Sequence, residues 1–446
     1  MPHTYIKKAT IGTKWGPDGV PRGQGGATAE VVDAKTLDLV SGMMGEIEKG
    51  GEARVAKYCL DLDKWTGPIL LSKEEIERKC ARVSEQTKRD IHFSVRQVRA
   101  FAEAQVKSLT NFSTDIGEGV TAGQKVLPMT TAGCYAPGGR YSHIASAIMS
   151  VTTARVAGVK NVFLASPPKN PEEGIDDAIV YAAHYAGVDK IITCGGVQAI
   201  AALRYGLFTG APADILVGPG NIYVATAKRL SYGAVAIDMF AGPTEIGVIA
   251  DKDADAHVIA VDIVSQVEHG PTSPGWLVAT DKALCEKVAE LVPPLIADLP
   301  EPNRSAGAEA WEKYGEIVLC DTREEAVAIS DLWAPEHLEV QTSDLNWYLE
   351  NLRNYGSLFL GEEVTVTHGD KASGPNHTLP TMGASKYTGG LSVHKFLKVL
   401  TFQSATKEAS AMMGAVSARI SRAERMEGHA RAADVRIKKY GLTAKL

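Results

Sequence analysis

Four short stretches of the sequence combine residue types that bind metal ions or transfer protons. The first, DIVSQVEHGP, contains Gln266 and His269, whose spacing of three residues places both on one face of a helix that stops at Gly270. A neutral imidazole is a common zinc ligand. A helix-capping His beside a surface Gln is the structural alternative, so this stretch alone does not establish a metal site.

The second stretch, WAPEHLEV, predicts a turn at Pro335 that presents Glu336 and His337 side by side. An adjacent Glu and His can serve proton transfer, because one group takes a proton while the other activates water. An ordinary surface turn would show the same residues. The pair is therefore a catalytic candidate that needs partners from elsewhere in the chain.

The third stretch, VTVTHGDKASGPNHTLPT, covers residues 364–381 and carries Asp370, Lys371 and His377 among glycines and prolines. This composition predicts a broken loop rather than a plain helix. Loops held on rigid scaffolds often carry function, and a linker would show the same breaks. Asp370 is a candidate oxygen ligand for a metal ion.

The fourth stretch, RAERMEGHARAAD, places Glu424 and His429 five residues apart in a helical run, where a surface role is the plainer interpretation. Together the stretches supply four nitrogen and oxygen donors, enough for one zinc ion without cysteine. These donors are Gln266, His269, Asp370 and His429. Glu336 and His337 would then be acid–base groups beside the metal.

The composition of the 446 residues, with 45% apolar and 22% charged, is typical of a soluble globular protein with a large core. The net charge of −6 argues against a nucleic-acid binder. No apolar run is long enough for a membrane span, and the N-terminus lacks the apolar core of a signal peptide. Six dispersed cysteines without a CxxC pair indicate reduced thiols, so we expect a cytoplasmic protein.

The order of apolar segments predicts an α/β fold. Residues 82–108 show apolar positions at three- and four-residue steps, which predicts an amphipathic helix. From about residue 130, short apolar runs that end in Gly or Pro alternate with helical stretches, which predicts parallel sheets covered on both faces. This pattern occurs in two blocks, and the second contains the predicted strand segments EIGVIAD, GWLVATD, EIVLCD and SLFLG. The last 50 residues show no strand signal.

Glycines concentrate at the ends of the predicted strands, in APGGRY, CGGVQ, GPGNIY and FAGPTE. In α/β sheets, ligands bind beyond the carboxyl ends of the strands. The GxGxxG fingerprint of dinucleotide-binding proteins is absent from the sequence. GPGN before a helix can present backbone N–H groups to a phosphate, or can be only a tight turn.

Six motifs occur in an order that resembles the histidinol dehydrogenase family: GGVQAIAALRYG, GPGNIYVATAKR, FAGPTEIGVIAD, SQVEHGP, PEHLEV and GDKASGPNHTLPT. The resemblance covers roughly residues 30–440. It implies a zinc-dependent enzyme that uses NAD to oxidise a primary alcohol to a carboxylate in two steps. It also implies a homodimer in which each subunit exchanges its C-terminal segment and shares active sites.

The resemblance assigns roles to individual positions. It implies one zinc ion per subunit held by Gln266, His269, Asp370 and His429, NAD contacts from Tyr135, Gln198 and Asn221, Glu336 and His337 as the catalytic pair, and Thr244, His377 and Glu424 as substrate-lining residues. Thr244 stands where histidinol enzymes usually carry Ser. By this analogy Glu424 and His429 would complete the site of the other subunit.

The implied architecture has two Rossmann-like, doubly wound parallel-sheet domains. We expect an N-terminal arm at residues 1–30, a metal-carrying and catalytic domain at 31–134 with 245–390, an NAD-binding domain at 135–244, and a helical C-terminal segment at 391–446 that is exchanged in the dimer.

The sequence also departs from the histidinol enzymes. Val366 replaces a family Glu, Lys371 replaces a Tyr, and Arg140 and His143 stand where small uncharged residues are usual. Loss of a carboxylate and gain of a cation disfavour the cationic histidinol and favour an anionic alcohol. The stretches CYAPGGRYSHIAS and YTGGLSVHKFLKVLTFQ resemble the sulfopropanediol dehydrogenase branch, which oxidises 2,3-dihydroxypropane-1-sulfonate to sulfolactate.

Three alternatives remain open on the sequence alone. Oxidation of histidinol itself would require the same metal and the same pair. A zinc hydrolase that uses water activated by Glu336 would require no nucleotide. A non-catalytic metal-binding scaffold would have no need of the adjacent Glu336 and His337.

Overall fold

The computed structural model describes residues 4–10, 34–138, 142–239 and 242–440. The described chain divides into two compact units. The first comprises the described residues of Met1–Ala104 and Met129–Phe396, and the second those of Gln105–Pro128 and Leu397–Leu446. None of the described helices is both long and apolar enough to cross a lipid bilayer.

Short strands alternate with helices along most of the described chain, which confirms the predicted α/β class. The strands are β1 (Thr4–Lys7), β2 (Phe112–Gly117), β3 (Val120–Pro128), β4 (Thr131–Tyr135), β5 (Asn161–Ser166), β6 (Lys190–Thr193), β7 (Ile215–Val217), β8 (Ala236–Ile237), β9 (Ile246–Ala250), β10 (Gly275–Ala279), β11 (Glu316–Leu319), β12 (His337–Gln341), β13 (Ser357–Leu360) and β14 (Leu397–Ala405). The helices are α1 (Ala34–Asp63), α2 (Lys73–Arg82), α3 (Glu85–Val106), α4 (Ile144–Val156), α5 (Asp177–Ala186), α6 (Gly196–Tyr205), α7 (Ile222–Ser231), α8 (Ala256–Val267), α9 (Lys282–Ala297), α10 (Asn303–Tyr314), α11 (Arg323–Trp333), α12 (Leu345–Asn351), α13 (Val366–Lys371), α14 (Lys407–Ala423) and α15 (Glu427–Tyr440).

Helix α3 confirms the amphipathic helix predicted over residues 82–108. Its buried face consists of Ile91, Val95, Val98 and Ala102, at the predicted steps of three and four residues. The apolar stripe thus sets which side of the helix packs inward.

The five-stranded sheet of the first unit is parallel throughout and has the order β6-β5-β4-β7-β8. Within this sheet the chain forms the central strand β4 first and then adds β5 and β6 on one side. It then crosses to the other side of β4 and adds β7 and β8. The winding therefore reverses between β4 and β7, where α/β sheets open a crevice for a ligand. Gly218, just after β7, has no room for a side chain, because a Cβ there would lie 2.1 Å from the Tyr135 carbonyl oxygen.

The six-stranded sheet of the first unit has the order β1-β11-β10-β9-β12-β13. Strand β1 is antiparallel to β11, and the other strands are parallel. Strands β9 and β12 are neighbours, with His337 opposite Ile246. This pairing brings the amino ends of two strands, and the residues that precede them, to the same edge of the sheet.

Apolar side chains cover both faces of the six-stranded sheet. On one face Ile263 of α8 and Val288 of α9 pack against the strands. On the other face Trp333 of α11 packs against Trp276, with ring centroids 5.2 Å apart. Strands covered on both faces are continuous apolar runs, so the four segments predicted from such runs correctly identified β9, β10, β11 and β13.

Strand β12 was not predicted as a strand, because its alternate residues are polar and it lacks the continuous apolar run that marked the other strands. The Glu339 side chain is 0% exposed and Gln341 is 3% exposed. Alternation of polar and apolar residues normally indicates a strand with one solvated face. Here both faces of the strand are enclosed.

The N-terminal segments differ in part from the predicted arrangement. Thr4–Lys7 of the predicted arm forms the edge strand β1, while residues 11–33 lie outside the described part. Val40 and Ile47 of α1 belong to the core of the five-stranded sheet, rather than to that of the predicted metal-carrying domain. The domain boundaries as a whole stay a prediction.

The second unit combines an antiparallel sheet of order β14-β3-β2 with the paired helices α14 and α15. The predicted helical C-terminal segment therefore begins with a strand, β14, whose residues Val399, Thr401 and Phe402 are good strand formers. Small residues (Ala418, Ala430) allow close packing between the two helices. The rest of the segment is helical as predicted.

A buried ion pair holds the loop after β7 in the first unit. Lys228 of α7 pairs with Asp238, and its Nζ donates a hydrogen bond of 2.8 Å to the Gly218 carbonyl oxygen. The Asp238 carboxylate accepts a hydrogen bond of 2.7 Å from the Gly218 N–H. Both polar groups of Gly218 are thereby satisfied by one ion pair.

We expect Lys228→Met to lower the free energy of unfolding by about 3–5 kcal/mol, because it leaves the Asp238 carboxylate buried without its closest cation. Urea unfolding followed by circular dichroism measures the change. Lys282→Met is the control, since the Lys282 side chain is 67% exposed and its loss should change stability by at most about 0.5 kcal/mol. Equal effects of the two substitutions would contradict a structural role for the ion pair.

Candidate active site

The candidate site lies at the amino edge of the six-stranded sheet, within the first unit. Thr244 and Glu245 lead into β9, and Glu336 leads into β12. Helix α8 ends next to His269 and α13 ends at Lys371. Strand amino ends and helix carboxyl ends meet at this edge, and they carry most of the residues selected from the sequence.

Glu336 is a buried carboxyl group held by two hydrogen bonds to one of its oxygens. The Thr244 hydroxyl donates to Oε2 at 2.7 Å, and the Glu245 N–H donates to the same oxygen at 2.9 Å. Burial raises the pKa of Glu336 to about 7, against the opposing effects of His337 and these hydrogen bonds. A carboxyl group with a pKa near neutrality can both take and release a proton.

His337 is buried and fixed by the main chain of Glu245. Its Nδ1 lies 2.9 Å from the Glu245 carbonyl oxygen. Because a carbonyl can only accept, Nδ1 carries the hydrogen and Nε2 is the free basic nitrogen of the neutral ring. Nε2 is buried without a hydrogen-bond partner among the described residues, and lies 3.8 Å from Asp370 Oδ1.

The charge of the His337 ring depends on its acidic neighbours. Burial alone would lower the pKa of His337, but Glu336 and Asp370 outweigh it and raise the pKa to about 9. At 3.8 Å the contact with Asp370 is electrostatic rather than a hydrogen bond. The protonated ring is therefore favoured as long as Asp370 carries an uncompensated charge.

Gln266 lies in the last turn of α8, whereas His269 lies just beyond the helix, which ends at Val267 rather than at the predicted Gly270. Gln266 is buried, and its Oε1 accepts a hydrogen bond of 3.1 Å from the Thr244 hydroxyl, the group that also contacts Glu336. His269 is exposed on the protein surface, but its ring lies close enough to Asp370 to be affected by that charge. Desolvation lowers the pKa of His269 in spite of Asp370, which favours the neutral imidazole that a metal requires.

Asp370 and Lys371 end the short helix α13. His337, His377 and Lys371 hold the pKa of Asp370 well below its usual range, although burial acts in the opposite direction. Lys371 Nζ lies 3.5 Å from Asp370 Oδ2, and the Lys371 side chain is 60% exposed. The Asp370 carboxylate is thus charged and lies beside the cationic Lys371 and the His337 ring.

Two further histidines lie near Asp370: His377, seven residues later in the same segment, and His143, which precedes α4. His377 Nδ1 lies 3.2 Å from the Asp370 carbonyl oxygen, and its Nε2 lies 3.2 Å from the hydroxyl of Ser146. His143 precedes α4 and is exposed, and desolvation and then the charges of His377 and Lys371 lower its pKa. Sequence reasoning missed Ser146, because a Ser in an apolar helix carries no functional signal. Arg140 lies outside the described residues.

Val366 does not line the candidate site. Its side chain is 1% exposed and belongs to the apolar core of the six-stranded sheet. Of the two departures in this segment, only Lys371 therefore places a changed charge beside Asp370. The segment predicted as a broken loop also includes the helical turn α13.

The residues selected for NAD binding lie at the carboxyl edge of the five-stranded sheet. Tyr135 is buried, and its hydroxyl accepts a hydrogen bond of 3.2 Å from the Gly196 N–H. Gln198 donates through Nε2 to Asp63 at 3.1 Å, while its Oε1 is buried without a partner among the described residues. Asp63 was not selected from the sequence, since it ends an ordinary amphipathic helix.

Asn221 also has a structural role, because its side chain caps the amino end of α7. Its side chain caps α7 by accepting hydrogen bonds of 3.1 Å from the N–H groups of Tyr223 and Val224. Its position at the start of a helix after a glycine-rich loop is the predicted one.

Glu424 and His429 belong to the second unit, where both are exposed. Glu424 follows α14, and His429 lies in the first turn of α15. In the described part of the chain, no three His, Cys, Asp or Glu side chains cluster as a metal site. The first unit itself offers one amide oxygen, one imidazole and one carboxylate, from Gln266, His269 and Asp370.

The chain belongs to the histidinol dehydrogenase family, whose family model matches residues 27–437. It is 55% identical to a histidinol dehydrogenase homolog of Pelagibacter ubique, over 94% of this chain and 97% of that protein. It is 54% identical to the sulfopropanediol 3-dehydrogenase of Ruegeria pomeroyi, over 98% of this chain and 96% of that protein. The crystal structure of histidinol dehydrogenase from Elizabethkingia anophelis matches with a TM-score of 0.84 and 33% identity, over 91% of this chain and 93% of that chain.

We expect Thr244→Val to raise the pKa of Glu336 by about one unit above its value of about 7 in the metal-free protein. The hydroxyl donates to the carboxylate and so favours the charged form. Without it, the carboxyl group keeps its proton to higher pH. Infrared difference spectra against Glu336→Gln, recorded over a pH series, isolate the carboxyl signal.

Thr367→Val is the matched control, because Thr367 is exposed on α13 and should leave the Glu336 midpoint unchanged. A midpoint that stays or falls in Thr244→Val would show that the hydroxyl does not stabilise the carboxylate.

Proposed function

We propose that this protein is a zinc-dependent NAD oxidoreductase that oxidises the primary alcohol of 2,3-dihydroxypropane-1-sulfonate in two steps to sulfolactate. The observation that carries the proposal is the buried Glu336–His337 pair beside Asp370, with the cationic Lys371 at the surface of the same site. The relative named for this activity is 54% identical over 98% of the chain. Cytoplasmic location is part of the proposal, on the six free cysteines.

The donor set of the site fits one zinc ion per subunit. Gln266, His269 and Asp370 would hold it with an amide oxygen, a ring nitrogen and a carboxylate, and His429 would complete the four. The negative end of the α8 dipole at this edge favours a cation. When bound, zinc would polarise the substrate hydroxyl and stabilise negative charge on its oxygen.

The carboxyl edge of the five-stranded sheet would bind NAD, through Tyr135, Gln198 and Asn221. The unpartnered Oε1 of Gln198 and the reversal of winding between β4 and β7 support this location. NAD would accept one hydride in each of the two oxidations.

His337 acts as the base in the first oxidation. Its Nε2 takes the proton of the alcohol while the hydride leaves the carbon. This role requires a neutral ring, and a divalent cation on Asp370 would favour that state, because it offsets one of the charges that raise the pKa of His337.

Glu336 acts in the second oxidation. The carboxylate takes a proton from water, the oxygen adds to the aldehyde carbon, and a second hydride leaves the resulting hydrate. The sum consumes one water and two NAD⁺ and yields the acid, two NADH and two protons. A Glu336 pKa near 7 lets the carboxyl group take the proton and return it to solvent.

The homodimer with exchanged C-terminal segments is also proposed. The second unit exposes large apolar side chains, with Ile116 65%, Ile420 54% and Val435 57% exposed. A contiguous patch formed by such side chains would suit an interface between protein chains. Glu424 and His429 would then serve the site of the other subunit.

Histidinol is the second candidate substrate. The relative from Pelagibacter ubique is described as a histidinol dehydrogenase homolog, and the matched crystal structure is of a histidinol dehydrogenase. The buried acid–base pair would serve either alcohol. The charge of Lys371 favours the anionic one.

We expect the purified enzyme to produce NADH with 2,3-dihydroxypropane-1-sulfonate and little with histidinol. Lys371→Tyr should raise the KM for the sulfonate about tenfold, which corresponds to about 1.4 kcal/mol, because the exposed cation is partly screened. Rising salt should raise the same KM.

Lys252→Tyr is the control, since Lys252 is an exposed cation just after β9, at the carboxyl edge of the sheet. Rapid turnover of histidinol with none of the sulfonated diol would overturn the substrate assignment and leave the family assignment intact.

We expect His337→Asn to slow both oxidations by about 100-fold or more, and Glu336→Gln to slow mainly the second. Rapid-mixing measurements of NADH, started separately from the alcohol and from the aldehyde, distinguish the two steps. Aldehyde oxidation at the wild-type rate in Glu336→Gln would show that another group activates the water.

A further inference from the structure

Two buried carboxyl groups behind the candidate site have no part in the chemistry proposed so far. Asp262 of α8 is 8% exposed, and Glu339 of β12 is 0% exposed. Asp262 precedes Gln266 by one helical turn, and Glu339 follows His337 by two residues on the same side of the strand. We call Asp262 and Glu339 the carboxyl bridge.

The carboxyl bridge connects three elements through hydrogen bonds. The Thr365 hydroxyl, at the start of α13, donates to Asp262 Oδ1 at 2.8 Å. The Val366 N–H of α13 donates to Glu339 Oε1 at 3.1 Å. Gln341 Nε2 donates to both members, at 3.3 Å to Asp262 and 3.2 Å to Glu339.

A shared proton explains how two acids are buried together. Burial, and then the charge of Asp262, raise the pKa of Glu339 to about 8. Glu339 therefore keeps its proton at neutral pH and can donate it to the Asp262 carboxylate. Among the described residues, the donors to the pair are an amide, a hydroxyl and a backbone N–H, with no Lys or Arg.

Each connected element carries one part of the candidate site. Helix α8 carries Gln266 one turn after Asp262, and β12 carries His337 on the same side as Glu339. Helix α13 carries Asp370 at its end, about one turn after the bonds to Thr365 and Val366. The relative position of these three elements therefore sets the distances between the proposed ligands and the base.

We propose that Asp262 and Glu339 are positioning residues, whose hydrogen bonds with Gln341 and with the start of α13 set the placement of Gln266, His337 and Asp370 for metal binding and proton transfer. This inference rests on the zinc site of the proposed function. Stability alone gives little reason for the bridge, because apolar residues of similar volume replace buried charged groups at little or no cost. A metal site, in contrast, depends on small displacements of its ligands.

Thr365→Val tests one link of the bridge with little risk to folding. Thr365 is half-buried with an extended backbone, which suits valine, and its side chain does not cap α13. Thr365→Val removes only the hydroxyl that donates to Asp262. Thr365→Ser restores a hydroxyl, and Thr367→Val alters an exposed neighbour on the same helix.

Metal affinity is the main readout, measured as competition of each intact protein with a chromophoric chelator for zinc. The visible spectrum after Co²⁺ loading reports the ligand geometry. We expect Thr365→Val to weaken zinc binding about tenfold and to change the Co²⁺ spectrum, while the melting temperature falls by only a few degrees. Thr365→Ser and Thr367→Val should stay within about twofold of wild type.

Glu339 provides a second test. Glu339→Gln keeps a donor towards Asp262, so zinc affinity should stay within about threefold of wild type, whereas Glu339→Leu should lose about tenfold or more. Glu316→Leu is the control, since Glu316 is a buried carboxyl on β11, three strands from β12.

Wild-type zinc affinity and Co²⁺ spectrum in both Thr365→Val and Glu339→Leu would overturn the positioning role. So would an equal loss in Glu316→Leu, since that would mark a general effect of buried carboxyl groups. A wild-type protein that binds no zinc would instead overturn the metal assignment in the proposed function. The two failures are therefore distinguishable.

Discussion

The main chain of Glu245 contacts both members of the candidate acid–base pair, and the rest of the site depends on this contact. Its N–H donates to the Glu336 carboxylate, and its carbonyl oxygen accepts from His337 Nδ1. One peptide segment therefore fixes the acid and the tautomer of the base together. This is possible because β9 and β12 are neighbours in one sheet, so that the residues leading into them run side by side.

The residues selected for NAD binding lie at the carboxyl edge of the five-stranded sheet. Those selected for metal binding in the first unit lie at the amino edge of the six-stranded sheet. At the carboxyl edge of the five-stranded sheet, helices α6 and α7 begin, and their positive ends suit the phosphates of a nucleotide. At the amino edge of the six-stranded sheet, helices α8 and α13 end, and a negative helix end suits a cation. The expectation that ligands lie beyond the carboxyl ends of strands thus holds for one group of residues and not for the other.

The ionisable groups of the site differ in burial: the acid–base pair is buried, whereas Lys371 is exposed. The acid–base pair is buried, and its pKa values are set by burial and by mutual contact. Lys371 lies at the surface, where a substitution costs little stability and changes the field felt by a substrate. A family can therefore change substrate at the exposed positions while it keeps the same chemistry at the buried ones.

Much of the fold and site was predictable from the sequence, because the signals are local. Periodic apolar residues predicted α3 and the strands β9, β10, β11 and β13, and adjacency alone singled out Glu336 with His337. The strands β1 to β4, β12 and β14 were not predicted. Polar residues interrupt both β12 and β14, so neither shows the continuous apolar run by which the other strands were predicted.

By itself the sequence determined the family, the residue types available for catalysis and the helices that carry them. Motif order and short-range periodicity can both be read from the order of the residues alone. Only the tertiary structure decided that Thr244 contacts both Gln266 and Glu336, that Val366 packs into the core, and that Gln341 joins Asp262 to Glu339. These contacts join residues far apart in the chain. They depend on which strands are neighbours and on how helices end against the sheet, and no spacing along the chain encodes that arrangement.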